Sequence, residues 1–361
     1  MSGRRILALT TDSFGGRGGI ATYARDAIRA MAALGDVAEV VVVVALKPDP
    51  AEPLPPKVTL VDKSGAGKSG YATAVVRLAL AGGFDAVWIA HASLAPLGWL
   101  AARRSGVRLG MSLHGSEVWR RGRLSREWAM ARADLVMPVS HLTLDRFRAA
   151  RGGLDQPNAI LPGAVDFAQF MPGPKPAALI ERYGLAGRRV LLTVARIGAD
   201  HGEKGFARVI AKLPRLIQRW PNLVYLIGGD GTERGQIEAQ VAEAGLQQHV
   251  VITGYIDEAE LADHYRLADA FILPSSGEGL GIVLLEAQAC GIPTIASNLD
   301  GGAEAVAGMS RAVNPDDAVA VEEALDKAFA APRVRPDGIG RFAIEAFNAR
   351  MSDAIDRLLG T

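Results

Sequence analysis

Short β-branched apolar runs alternate with amphipathic segments along the whole chain, the rhythm of βαβ units that pair into a parallel sheet. In the first half the runs fall at residues 5–10, 39–45, 58–61, 86–89, 107–112, 135–139 and 159–161, with helical patterns between them. A Pro/Gly-rich stretch from Leu161 to Pro176 then breaks the rhythm. It resumes with runs at 189–195, 224–228, 250–253, 270–274, 293–296 and 311–313, and a last helix is predicted from about 339 to 359. The expected architecture is α/β, with two Rossmann-like domains at 1–165 and 166–338 and a closing segment at 339–361. Their parallel sheets are expected to face an interdomain cleft, with ligands at the carboxyl ends of the strands.

Composition agrees with this division. A chain of 361 residues with 49% hydrophobic and 22% charged residues is globular, which excludes disorder, collagen and coiled coil as overall descriptions. No apolar stretch approaches the roughly 18 residues that span a bilayer, and the apolar run at 6–10 is too short for a signal peptide, so a cytoplasmic protein is expected. The single cysteine, Cys290, can form no intrachain disulfide or Cys-based metal site and is expected to be a small core residue.

The net charge of +1 hides an asymmetry. Residues 1–165 carry 21 Lys and Arg against 13 Asp and Glu, a balance of +8, and residues 166–361 carry 19 against 26, a balance of −7. The densest basic stretch holds Arg103, Arg104, Arg108, Arg120, Arg121, Arg123, Arg126 and Arg132 against Glu117 and Glu127. Such a stretch suits anionic lipid headgroups, a diphosphate-bearing substrate or nucleic acid, and equally a solvated helix face with ordinary surface pairs.

Two glycine-rich loops resemble nucleotide motifs and fail them. Gly16-x-Gly18-x-x-Ala21 follows the first run as a dinucleotide fingerprint would, but Ala45-Leu46-Lys47 stands where an acid is needed at the end of the second strand. Ser64-Gly65-Ala66-Gly67-Lys68-Ser69 imitates a Walker A loop, yet Asp62 occupies the first glycine position and its carboxylate would oppose a phosphate.

The most specific feature is Pro274-Ser275-Ser276-Gly277-Glu278-Gly279-Leu280-Gly281-Ile282-Val283-Leu284-Leu285-Glu286, two glutamates with seven residues between them. Glu278 lies in a loop just past a strand, and Glu286 inside the helix that the loop opens. That geometry permits one carboxylate to meet sugar hydroxyls and the other a ribose, while N–H groups at the helix start point at a diphosphate. Upstream, Arg196 ends a strand and Lys204 opens the next helix, a pair able to grip a diphosphate and neutralise the charge that builds as a glycosidic bond breaks. Gly228-Gly229-Asp230-Gly231 offers backbone to the same crevice, and His114, beside Gly115 at a strand's carboxyl end, is a candidate for a polar substrate. The other histidines show no metal spacing and no Asp-x-Asp occurs, so no metal or other cofactor is expected.

Together these residues resemble the retaining glycosyltransferases of family 4, which have the GT-B fold. The resemblance implies a nucleotide sugar held mainly by the second domain, with Glu286 on the ribose, Glu278 on sugar hydroxyls and Arg196 and Lys204 on the diphosphate. It further implies that His114 orients the transferred sugar, that Gly18 and Gly19 lie near the phosphates, and that the acceptor docks on the first domain, against which the closing helix packs. Gly229, Gly279, Leu280, Gly281 and Ile282 complete the expected donor site. The sequence departs from the related mannosyltransferases at Ile197-Gly198-Ala199-Asp200-His201-Gly202, where His201 replaces other polar residues. The run from Lys204-Gly205-Phe206 to Val283 looks most like bacterial mannosyltransferases of polysaccharide assembly, which favours GDP-mannose, with UDP-hexoses open. A metal-independent transferase is expected, acting on a lipid-linked glycan, its basic stretch set against an anionic cytoplasmic leaflet and no nucleic acid bound. An epimerase or glycan phosphorylase of the same architecture, and a non-catalytic binding protein, are the other readings.

Overall fold

The structure is a computed structural model and describes residues 3–16, 18–46, 53–198, 204–308 and 310–360. Lys47, Ala199, Asp200, His201 and Gly202, which figure in the sequence reading, lie outside the described residues, as do Arg17 and Glu203.

The chain divides into two units. The first is Met1–Ala164 with Ile344–Thr361, and the second is Val165–Ala343. The first carries strands β1 Arg4–Thr10, β2 Val37–Val44, β3 Val58–Asp62, β4 Ala86–Ile89, β5 Arg108–Leu113 and β6 Leu135–Pro138. The second carries β7 Arg189–Val194, β8 Leu223–Gly228, β9 Val250–Gly254, β10 Ala270–Leu273, β11 Thr294–Ser297 and β12 Arg311–Val313. Every strand pairing is parallel. The orders are β3-β2-β1-β4-β5-β6 and β12-β11-β10-β7-β8-β9. Both reverse direction once, between β1 and β4 and between β7 and β10, so both units are Rossmann-like and each has one switch point for a ligand. Strands such as β2, buried over Val40–Val44, are apolar on both faces because helices cover both.

Each predicted run becomes a strand within two residues of its expected ends, except 159–161. There only an isolated bridge joins Asn158 to Val136, continued by Ala159 N–H to the Val136 carbonyl (3.0 Å) and Leu161 N–H to Pro138 (2.9 Å). The rung that would follow needs an N–H at residue 138 of β6 to reach the Ala159 carbonyl; Pro138 has none, so the ladder stops at one bridge.

The chain end also differs from the sequence expectation. Residues Ile339–Phe342 form a separate 3-10 turn belonging to the second unit, where Val165 N–H bonds the Phe342 carbonyl at 2.9 Å. The final helix is Ile344–Leu359, and its buried face of Phe347, Met351, Ala354, Ile355 and Leu358 follows the helical period. It packs on helix Gly19–Ala33, with the Phe347 ring edge-on to Tyr23 at 5.6 Å, and on β5. A Cβ on Gly110 of β5 would approach Leu358 to 2.9 Å, so glycine there lets helix and sheet close. Cys290 is buried, and burial pushes its thiol up to about 12, which leaves it inert.

Candidate active site

In the second unit the chemistry gathers where β7 and β10 lie side by side at the switch point. β7 ends at Val194 and is followed by Ala195 and the exposed Arg196. The chain then enters helix Phe206–Arg219 through Lys204 and Gly205. Gly205 has φ +80°, and a Cβ there would stand 2.1 Å from the Pro274 carbonyl, so only glycine lets this helix start meet the end of β10. Arg208, one turn on, donates to the same carbonyl at 2.9 Å.

That contact sets Lys204 over the loop after β10. Its Nζ meets Oε1 of Glu278 at 2.5 Å, with the two side chains 22% and 16% exposed. Residues 74 apart in sequence are thus neighbours because β7 and β10 are neighbours. The Glu278 turn rests on Asp300, which is buried. One Asp300 oxygen accepts from Ser275 Oγ (2.7 Å) and Glu278 N–H (3.0 Å), and the other from Gly302 N–H (3.0 Å). Burial raises the Asp300 carboxyl above its ordinary range against the pull of these bonds.

Gly281, at φ +85°, opens helix Ile282–Ala289, and Leu280 beneath it is buried. The N–H groups of the first turn have no carbonyl one turn earlier in their own helix. Glu286 follows on this helix, and its Oε2 accepts from the hydroxyl of the buried Tyr265 at 2.6 Å. Burial pushes the Glu286 carboxyl up to about 7 and the Tyr265 phenol well above its usual value.

The loop after β8 lies on the loop after β7. Ala195 N–H bonds Gly228, and Ile197 N–H bonds Asp230, each at 3.0 Å. Cβ atoms on Gly229 and Gly231 would fall 2.0 and 1.9 Å from the Ala195 and Ile197 carbonyls. These glycines therefore permit backbone contact with the Arg196 segment, a reason that spacing alone did not reveal.

In the first unit the sequence candidates cluster at the carboxyl ends of β1, β4 and β5. Gly18 has φ +89° and precedes helix Gly19–Ala33. The loop before it is held from below by buried Arg25, which donates to the Gly16 carbonyl at 2.8 Å and to Thr22 Oγ1 at 3.1 Å. His114, half-buried, has Nε2 2.6 Å from the Ala90 carbonyl. A carbonyl only accepts, so Nε2 carries the proton and Nδ1 holds a lone pair in the neutral ring. Its backbone N–H donates to Glu117 at 2.6 Å, its ring is edge-on to Tyr23, and His91 stacks on it with centroids 6.0 Å apart. Burial holds the His91 imidazole below its usual pKa.

The geometry therefore joins Lys204 to Glu278 directly and places Glu286 on the helix that the Glu278 loop opens, while His114, Gly18 and Gly19 belong to the first unit. Sequence reasoning missed Asp300, Tyr265, Arg25 and His91. Asp300 had a signal, an acid before two glycines just past a strand; Tyr265 had none, because its partner lies on another helix. Among the described residues no three His, Cys, Asp or Glu side chains converge as a metal site, and no helix is long and apolar enough to cross a membrane.

Two family models tile the chain. Residues 17–169 match the model described as Glycosyltransferase Family 4, and residues 179–345 match Glycosyl transferases group 1. The chain belongs to glycosyltransferase family 4. It is 38% identical over 239 residues to a GDP-mannose-dependent alpha-(1-6)-phosphatidylinositol monomannoside mannosyltransferase of Mycolicibacterium smegmatis, a match covering 62% of this chain and 60% of the relative. It is 30% identical over 263 residues to a glycogen synthase of Mycobacterium tuberculosis, covering 68% and 60%. The matched segments thus span about 60% of the length of these curated relatives. Among solved structures, Anabaena HepE in complex with UDP and glucose superposes with a TM-score of 0.78 at 18% identity, covering 98% of this chain and 99% of that one. Sucrose-phosphate synthase from Thermosynechococcus elongatus gives 0.77 at 22%, covering 99% and 100%. These likenesses establish the GT-B fold, two Rossmann-like domains in one chain.

Proposed function

We propose that this family 4 protein transfers a hexose, with retention of the anomeric configuration, from a nucleotide sugar to a lipid-linked glycan acceptor in cell-surface polysaccharide synthesis. GDP-mannose is the favoured donor. The observation that carries the reading is the Lys204–Glu278 pair at the β7/β10 switch point, with Glu286 on the adjoining helix. The mannosyltransferase relatives support the donor, and their phosphatidylinositol-linked acceptor supports a lipid-borne one.

In this reading Lys204 and Arg196 hold the donor diphosphate, Glu278 the sugar hydroxyls and Glu286 the ribose, with Gly229, Gly279, Leu280, Gly281 and Ile282 shaping the walls. Gly18 and Gly19 lie toward the phosphates, and His114 orients the transferred sugar. As the bond from C1 to the diphosphate oxygen breaks, the cations stabilise the negative charge that develops. The departing phosphate oxygen takes the acceptor hydroxyl's proton, and the new C1–O bond forms on the same face. No metal is required in this reading, since the Lys204 and Arg196 cations take that role. Product analysis with GDP-mannose is expected to show a retained anomer and unchanged turnover in EDTA. Inversion, or rescue by magnesium after chelation, would overturn the mechanism, and phosphorolysis or a free epimerised sugar nucleotide would identify another enzyme class.

The donor is tested by thermal shift with GDP, UDP and their sugars, where a ligand at about 100 times its Kd stabilises by about 2.7 kcal/mol. Stabilisation by UDP and none by GDP would end the mannose assignment.

The first domain is proposed to meet an anionic membrane surface reversibly. Leu124 is 88% exposed beside the exposed Arg120, Arg121 and Arg123, and Arg132 lies over the half-exposed Trp128 ring at 4.0 Å. Part of the stretch serves the fold instead: Arg121 donates to the Ala150 carbonyl at 2.8 Å, and Arg108 to the Leu358 carbonyl at 3.3 Å. Each basic residue near such a surface contributes about 1 kcal/mol. Sedimentation should therefore show binding to anionic liposomes that salt reverses, and no binding at low salt would remove the membrane claim alone.

A further inference from the structure

The loop that carries Glu278 is braced from beneath by a group that no sequence motif singled out. Asp300 is only 3% exposed, and Ser275, which it faces, is fully buried. Its Oδ2 accepts from Ser275 Oγ and from Glu278 N–H, groups at the two ends of a four-residue turn, so one oxygen closes that turn across its base. Oδ1 accepts from Gly302 N–H at 3.0 Å. A return bond runs from Gly301 N–H to the Glu278 carbonyl at 2.9 Å, and a Cβ on Gly301 would sit 1.9 Å from the Gly279 carbonyl. The 298–302 segment is therefore locked on both polar groups of the Glu278 backbone.

A desolvated carboxylate is costly unless its oxygens are filled, and here they are filled by the donors that aim Glu278. Glu278 in turn meets Lys204 through Oε1. We infer that Asp300 is a positioning residue, which orients the Glu278 carboxylate toward the donor's sugar hydroxyls and so sets recognition of the sugar apart from that of the nucleotide. The inference rests on the proposed role of Glu278 at the sugar.

Asparagine at 300 keeps the shape but turns an NH2 group toward an N–H or O–H donor, leaving one buried donor unmatched. The decisive measurement compares affinities for GDP and GDP-mannose by calorimetry, or UDP and UDP-glucose should the wild-type protein take that pair. Asp300→Asn is expected to weaken the nucleotide sugar about tenfold while changing the free nucleotide less than about twofold. Equal losses on both ligands, or none on either, would overturn the positioning role. Glu278→Gln is measured alongside. If it loses no sugar-dependent affinity, the assignment of Glu278 fails; if it does and Asp300→Asn does not, the inference about Asp300 fails alone. Should Asp300→Asn not fold, Ser275→Ala removes one of the three bonds, and the same comparison applies with an expected sugar-selective loss of about two- to fivefold.

Discussion

Lys204→Ala is expected to lower kcat/KM by roughly 30- to 900-fold, the equivalent of about 2 to 4 kcal/mol of lost transition-state stabilisation. The magnitude follows from where the ammonium sits. It is fixed over the loop after β10 by the Gly205 contact with Pro274 and by Glu278, and it is only 22% exposed, so little water competes for it. A cation preorganised there acts mainly on charge that appears as the diphosphate leaves, so the loss should fall on kcat more than on donor KM. The largely buried pair itself contributes modestly to folding, about 1 kcal/mol or less, because the cost of desolvating both charges offsets much of their attraction. Steady-state kinetics and a melting curve on the same preparation separate the two effects. A fall below fivefold in kcat/KM with an unchanged Tm would mean that Lys204 does not serve the reaction.

Glu286→Gln is expected to abolish a pH dependence that the wild-type protein shows near neutrality. Burial pushes the Glu286 carboxyl from 4.5 up to about 7, and the Tyr265 hydroxyl already occupies one oxygen. A ribose hydroxyl donates better to the ionised form, so donor affinity should fall about tenfold from pH 8 to pH 6 as the proton returns. The variant, with nothing to titrate, should give a flat and weaker profile. Stability moves the other way. A carboxyl whose folded pKa is raised gives its full contribution below the unfolded value near 4.5 and loses it as pH rises through about 7. The ligand-free variant should therefore be the more stable protein at pH 8, by up to about 3 kcal/mol, and close to wild type at pH 4.5. Calorimetric titration and melting at both pH values check the two signs, and a flat wild-type binding profile would sink the ribose assignment.

Much of the architecture was legible in one dimension. Parallel strands buried on both faces must be written as continuous apolar runs, so β2 and β10 announced themselves in the residue pattern. The segment at 159–161 carried the same apolar signal and failed, because strand formation also needs donors on the facing strand, and Pro138 of β6 has none to give. The final helix was visible from its period, while its start was set five residues too early because Ile339 and Phe342 continue the apolar pattern through a 3-10 turn.

For the candidate site the division is sharper. Residue type, loop placement and the seven-residue interval between Glu278 and Glu286 are local properties, and a strand-loop-helix unit brings them out wherever it folds. Which carboxylate meets which cation is not local. It depends on strand order, since only the adjacency of β7 and β10 sets Lys204 beside Glu278. The supports were hidden for the same reason: Asp300 reaches Glu278 from the segment after β11, and Tyr265 reaches Glu286 from a different helix. The sequence by itself determined the alternating architecture and the chemistry available at each strand end, because hydrophobic period and loop composition are written residue by residue. Only the tertiary structure decided the pairings, the buried acid under the loop and the raised Glu286 carboxyl, because hydrogen bonding and desolvation depend on what the fold brings within a few ångströms.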